Sequence, residues 1–91
     1  MTHAIVMIEA ERDAMPTLGA AIADVDGVRE AYSVTGEWDF VAIVAVRLHE
    51  DLANVVTERI GQLEGIVRTQ TMVAFEAFSR HDLEALFAVG G

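Results

Sequence analysis

The sequence lacks cysteine, holds a single proline, and has only six basic residues among its 91. Without cysteine there is neither a disulfide framework nor a thiolate metal site. Six basic against fifteen acidic residues give a formal net charge of -9, so most of the surface would repel a phosphate backbone. The sequence also has no glycine-rich phosphate loop and no helix-turn-helix segment, which argues against direct nucleic-acid binding.

Long apolar runs are absent as well. The longest one, residues 40–46, falls far short of the roughly 20 apolar residues that span a bilayer, which excludes membrane insertion. The N-terminal residues Met1, Thr2 and His3 lack the basic flank and apolar stretch of a secretory signal. We therefore expect a soluble, cytoplasmic protein.

Apolar residues, by contrast, make up 53% of the chain. A chain of this length forms one domain, residues 1–91, and removes only about 60 to 65% of its unfolded surface from water. So many apolar residues exceed the needs of one small core. Part of this surface is therefore expected to contact another chain.

Periodicity and turn residues predict four strands and three helices. Asp13 is the expected N-cap of the first helix and Gly27 its C-terminal cap. The predicted elements are strand 4–8, a helix bearing apolar residues 15, 18, 22 and 25, strands 28–34 and 40–46, a helix bearing apolar residues 52, 55, 56, 60 and 63, strand 66–75, and a short C-terminal helix after Ser79.

The two halves of the chain resemble each other. Residues 26–29 and 64–68 both run from an acidic residue through glycine and apolar residues to an arginine. Two right-handed β-α-β units in one sheet predict an α+β, ferredoxin-like βαββαβ fold with an antiparallel sheet of order 4-1-3-2. The first and third strands are apolar on both faces, so we expect a partner sheet to cover the second face, as in a dimeric α+β barrel. The alternative is that Ala42 and Ala45 dilute this patch and the C-terminal helix covers it.

The first candidate site is the hairpin sequence Thr35, Gly36, Glu37, Trp38, Asp39. A glycine lets backbone N–H groups point outward, and the carboxylate that follows three residues later suits a ligand ammonium, so the pair suits a zwitterion. The alternatives are an ordinary turn, with Trp38 as an interface anchor.

The second candidate is Thr69, Gln70 and Thr71, which place hydroxyls and an amide within an otherwise apolar strand. They would line a polar pocket or, alternatively, face solvent. The three histidines are far apart and show no metal-ligand spacing. We expect no metal, no cofactor and no catalytic residue, because no nucleophile, base and orienting group can be assembled.

The hairpin and the segment 65–71 together resemble the effector-binding domain of the Lrp/AsnC family of transcriptional regulators, and the likeness covers nearly the whole chain. In that family a glycine, an aromatic residue and an aspartate join the second strand to the third, here Gly36, Trp38 and Asp39. A Thr-x-Thr pattern follows an arginine in the fourth strand, here after Arg68. Because the sequence begins with the predicted first strand, the resemblance implies a stand-alone domain without the helix-turn-helix domain.

The resemblance also implies partners and roles. Such domains pair sheet to sheet and close into octamers or decamers, with amino-acid effectors held between dimers. Gly36 and neighbouring backbone groups would bind an effector carboxylate, and Asp39 its ammonium. The full set of implied effector-binding residues is Thr35, Gly36, Trp38, Asp39, Thr69, Gln70 and Thr71. The expected function is sensing an amino acid or related metabolite and modulating transcription or amino-acid metabolism.

Two alternatives belong to other classes. Small dimeric α+β barrel enzymes, monooxygenase- or mutase-like, share this fold, and fold alone does not separate the two functions. Such an enzyme needs His, Tyr or Asn on an inner strand, whereas the first and third strands offer aliphatic residues and Phe40. The other alternative is a structural partner that mixes with full-length Lrp/AsnC regulators.

Overall fold

The computed structural model describes residues 1–78 and 80. In chain order it contains β1 (Thr2–Ala10), a 3-10 turn (Arg12–Ala14), α1 (Met15–Ala23), β2 (Val28–Ser33), β3 (Phe40–Val46), α2 (Asp51–Ala53), a π-helical segment (Asn54–Ile60) that continues α2, and β4 (Ile66–Val73). The predicted C-terminal helix lies outside the described residues. In the part that is described, no helix is long and apolar enough to cross a membrane.

The four strands form one sheet of order β2-β3-β1-β4, and every neighbouring pair is antiparallel. This confirms the predicted order and the ferredoxin-like layout, since β1 and β2 run parallel on either side of β3, as β3 and β4 do on either side of β1. In the central strand, Ile8 lies between Phe40 of β3 and Thr69 of β4.

The core lies between one face of the sheet and the helices. Alternate residues of β1 and β3 are buried, as expected for strands whose side chains point to opposite faces. The buried core residues are Ala4, Val6, Ile8, Leu18, Ile22, Phe40, Ala42, Val44, Val46, Leu52, Val55 and Ile60. On the other face, here called the open face, Ile5, Met7, Val41, Ile43 and Ala45 are only half-buried. Among the described residues, no helix covers this face.

The predicted caps of the first helix are wrong. Asp13 lies inside the 3-10 turn, and Ala14 precedes α1 without a side-chain capping bond. The helix ends at Ala23, so Gly27 does not cap it. Instead, Val28 donates its N–H to Val25 O at 3.0 Å, and Gly27 adopts a φ of +103° in the turn that leads into β2.

The second helix also differs from the regular α-helix that was predicted. After one α-helical turn the chain widens to a π-helix, in which Gly61 donates its N–H to Val56 O at 2.8 Å. Val55 and Ile60, five residues apart, are both buried. The i to i+5 bonding of a π-helix brings residues at that spacing to the same side, whereas an α-helix would not.

The two halves repeat at the level of backbone conformation. Gly65 has a φ of +98°, close to that of Gly27, and both glycines precede a strand. A Cβ at Gly65 would overlap Ala14 Cβ, and a Cβ at Gly27 would lie 2.7 Å from Val55 Cγ2. Glycine is therefore required at both positions by conformation and by space.

Candidate functional site

The loop of residues 34–39 joins β2 to β3 and is closed by backbone hydrogen bonds. Val34 donates its N–H to Asp39 O at 3.0 Å, and Asp39 donates its N–H to Ile8 O at 2.9 Å. At the tip, Gly36 has a φ of +106°, and no atom lies within 4 Å of the position that a Cβ would take. The loop is thus fixed at its base and open at its tip.

Asp39 has a structural contact that the sequence did not reveal. Its Oδ2 accepts the backbone N–H of Ala10 at 2.8 Å, where the register between β1 and β4 shifts. The side chain therefore satisfies an N–H next to an irregularity in the sheet, in agreement with the turn-stabilising alternative. In residues 1–78 and 80, no donor contacts the other oxygen, Oδ1.

Arg68 connects this loop to the sheet. It lies in β4 opposite Glu9 of β1, and its Nε donates to Glu9 Oε1 at 2.5 Å. Its Nη2 lies 3.5 Å from Glu37 Oε1, and the guanidinium stacks 4.2 Å from the centre of the Trp38 ring. The hydrogen bond to Glu9 raises the pKa of Arg68, and Glu37 adds to the effect. Arg68 thereby contacts three other side chains, those of Glu9, Glu37 and Trp38, at one end of the open face. These four residues are called the Arg68 cluster.

Neither Glu9 nor Arg68 was among the predicted site residues, although both belong to this cluster. The repeated arginine that follows each strand-opening glycine was the available signal for Arg68. For Glu9 there was none, because its contact with Arg68 joins residues 59 positions apart.

The cluster carries more negative than positive charge. Glu9 and Glu37 contact the Arg68 guanidinium, and Asp39, in the same loop as Glu37, adds a third carboxylate that binds Ala10 N–H instead, so these four charged side chains sum to a formal charge of -2. The Glu37 side chain is 74% exposed. The electrostatic field at the loop therefore favours cationic groups.

The structure does not bring Thr69, Gln70 and Thr71 to one face of the sheet. Thr69 and Thr71 pair with Ile8 and Val6, whose side chains point into the core, so the two threonines lie on the helix side. Gln70 pairs with Met7 and lies on the open face, as Arg68 does. Only Gln70 therefore shares a face with the Arg68 cluster.

Thr71 contributes instead to a cavity of about 360 Å³ between β4 and α2. This cavity is separate from the loop at residues 34–39 and is mainly apolar. Its lining residues are His49, Glu50, Leu52, Ala53, Val56, Thr71 and Val73. In the part of the chain that the structure describes, no group of three or more His, Cys, Asp or Glu side chains is placed to hold a metal ion.

A four-stranded antiparallel sheet of order β2-β3-β1-β4 with its helices on one face defines a small α+β domain of the ferredoxin-like type. The family model of the Lrp/AsnC ligand binding domain matches residues 3–83. This chain belongs to that family.

Among curated proteins, an uncharacterised HTH-type transcriptional regulator of Pyrococcus furiosus is 34% identical over 77 residues, covering 81% of this chain and 51% of the relative. A second such regulator, from Pyrococcus abyssi, is 30% identical over 78 residues, covering 82% of this chain and 52% of the relative. The chain thus spans about half the length of these relatives.

The similar solved structures include a chain that is matched over its whole length and a longer chain that is matched over about half of its length. A Thermus thermophilus protein is 45% identical with a TM-score of 0.82, covering 88% of this chain and 100% of its own. A Neisseria meningitidis transcriptional regulator, solved in complex with L-Met, has a TM-score of 0.76 at 15% identity and covers 87% of this chain and 53% of its own. At that identity the likeness shows the fold alone.

Proposed function

We propose that this chain is a non-catalytic sensor module that binds an amino acid or a related small metabolite and modulates transcription or amino-acid metabolism through oligomeric assembly. The observation that carries the proposal is the hairpin, where Gly36 leaves an open tip and Asp39 Oδ1 has no donor in the described chain. Membership of a ligand-binding family supports it, and a Neisseria regulator of the same fold has been solved in complex with L-Met.

In this proposal, backbone N–H groups of Thr35 and Gly36 bind the ligand carboxylate, because consecutive N–H groups in a glycine turn form a concave anion site. Asp39 Oδ1 accepts from the ligand ammonium while Oδ2 keeps its bond to Ala10. Trp38 forms one wall, held by Arg68. Gln70 lies two residues beyond Arg68 on the same face of β4, and Thr69 and Thr71, on the other face, take part only where the site extends around the edge of β4.

Assembly is proposed from the open face. Its centre, Ile5, Met7, Val41 and Ile43, is aliphatic, and Met72 at the edge remains 45% exposed. A contiguous apolar surface of this kind is costly in water, and a second sheet of the same composition covers it. We propose dimers that pack open face to open face and associate further into octamers or decamers. A full-length family regulator presenting the same face is a further partner.

An enzymatic role has less support. The relatives are named as transcriptional regulators. The centres of β1 and β3 place aliphatic side chains on the open face, His3 lies at the start of β1, and the Tyr32 hydroxyl of β2 donates to Glu30. Among the described residues, His3 and Tyr32 make no hydrogen bond with each other, so we propose binding without catalysis.

A thermal-shift screen against the twenty amino acids tests the proposal. A ligand that binds only the folded state stabilises it by about 2.7 kcal/mol at a hundredfold excess over Kd, which should raise Tm by roughly 10 to 20 °C for a domain of this size. We expect at least one amino acid to raise Tm in a dose-dependent manner. No shift with any of the twenty would contradict amino-acid sensing.

A further inference from the structure

The carboxylates at the hairpin are unequally neutralised. Arg68 contacts Glu9 at 2.5 Å but reaches Glu37 only at 3.5 Å, and the Glu37 side chain is 74% exposed. Asp39 has no basic partner among the described residues, and one of its oxygens is bound to Ala10 N–H. Glu37, next to the Gly36 tip, and Asp39, at the base of the loop, therefore keep most of their negative charge unpaired.

We propose that the hairpin selects amino acids that carry a second positive charge, and that Glu37 recognises that charge. This inference rests on the proposed function and specifies its ligand class. Asp39 Oδ1 binds the α-ammonium, the Gly36 backbone binds the carboxylate, and Glu37 faces the side-chain cation. A diamino acid carries a net charge of +1, whereas Glu9, Glu37, Asp39 and Arg68 together carry -2, so the charges are of opposite sign.

Acidic ligands meet the opposite situation. A second ligand carboxylate would need a cation, and the described cluster holds only the Arg68 guanidinium. That group is already bound to Glu9 and stacked on Trp38. For a ligand carboxylate to bind Arg68, the short contact between Arg68 and Glu9 would have to break, and negative charge would be added beside Glu37. Like charges brought together oppose binding.

Trp38 makes the selection measurable. It is the only tryptophan in the sequence, and its ring lies 4.2 Å from the Arg68 guanidinium. A ligand that pairs with Glu37 changes the charge around this indole, so fluorescence titration reports binding at the hairpin itself.

The experiment compares L-lysine, L-norleucine and L-glutamate on the wild-type protein. Norleucine keeps the four-carbon side chain of lysine and lacks only the terminal ammonium, so the pair isolates the second charge. We expect lysine to bind more tightly than norleucine, glutamate to bind most weakly, and added salt to reduce the lysine preference.

Glu37→Gln tests the residue, and Glu58→Gln is the matched control. Glu58 is an exposed carboxylate in the π-helical segment and contacts only Gln62 among the described residues. Because Glu37 is exposed, we expect its neutralisation to weaken lysine binding about two- to fivefold and to leave norleucine unchanged. The control should change neither. Circular dichroism confirms that both variants fold.

The outcomes separate the two hypotheses. If norleucine or glutamate binds as tightly as lysine, selection for a second positive charge is overturned and amino-acid sensing stands. If Glu37→Gln and Glu58→Gln lose the same amount of lysine affinity, the role of Glu37 is overturned. If none of the twenty amino acids changes either Trp38 fluorescence or Tm, the proposed function fails, and this inference fails with it.

Discussion

The Asp39 carboxylate accepts the backbone N–H of Ala10 at 2.8 Å, which fastens the start of β3 to the end of β1. Next to it, Asp39 donates its own N–H to Ile8 O at 2.9 Å. The residue that is proposed to bind the ligand ammonium is therefore also part of the sheet. Its position is held by the fold before any ligand arrives, which reduces the ordering cost of binding.

The two roles of Asp39 can be separated by two substitutions. Asp39→Ala removes the acceptor for Ala10 N–H and should destabilise the fold by about 1 to 2 kcal/mol. Asp39→Asn keeps an oxygen for that N–H, loses the charge, and replaces the ligand-facing oxygen with an NH2 group, which is a donor. We expect it to retain Tm and to weaken binding of the best amino acid about ten- to a hundredfold. Thermal melts and calorimetry measure both effects, and unchanged affinity in Asp39→Asn would contradict the ligand role.

Two glycines with similar φ should respond differently to alanine. Gly65→Ala adds a methyl group that overlaps Ala14 Cβ, so strain and overpacking together should cost about 2 kcal/mol or more. Gly36→Ala meets no atom within 4 Å and should cost only the conformational strain of about 1 to 2 kcal/mol. Urea denaturation gives both values. Equal losses would show that the space around Gly65 is not as tight as described.

The open face should control assembly. We expect the wild type to scatter light as a species larger than a dimer of the 9.9 kDa chain. Ile43→Glu places a charge at the centre of the open face and should give a folded, smaller species, because burying an unpaired carboxylate is costly. Ala20→Glu adds the same charge on the exposed side of α1 as a control. If Ile43→Glu assembles like the wild type, the open face is not the interface.

Tyr32 offers a test of local electrostatics by pH. The hydrogen bond that Tyr32 donates to Glu30 raises the pKa of the phenol above its ordinary value. This pair therefore contributes stability below the unfolded pKa of about 10, and the contribution is lost as pH rises through the folded pKa. Glu30→Gln should lower the pKa of Tyr32. Ultraviolet titration of the only tyrosine measures it, and an unchanged midpoint would refute the contact.

The fold could be predicted from the sequence where the apolar pattern of a strand and the order of the β-α-β units indicated the same arrangement. The apolar run of β3 was predicted at its observed bounds, Phe40–Val46, because Asp39 and Arg47 interrupt the apolar pattern on either side. The sheet order followed from two β-α-β units of one hand. The π-helical segment was missed because a 3.6-residue period was imposed on the apolar spacing, although Val55 and Ile60 lie five residues apart.

The site was less predictable, since its contacts join distant parts of the chain. Asp39 meets Ala10 across 29 positions and Arg68 meets Glu9 across 59, and neither pairing has a local signature. The separation of Gln70 from its threonine neighbours was available from strand alternation alone, but the polar run was treated as one unit.

The most direct test of the account is to map the ligand on the protein by amide chemical shifts. The amino acid with the largest thermal shift is added to isotope-labelled protein, and four reporter groups are followed. We expect the Gly36 amide and the Trp38 indole N–H to move with a common Kd, while Gly27 and Gly65, at the two α-to-β turns, stay in place. Shifts confined to Leu52, Thr71 and Val73 would place the ligand in the cavity beside α2 and contradict the hairpin site.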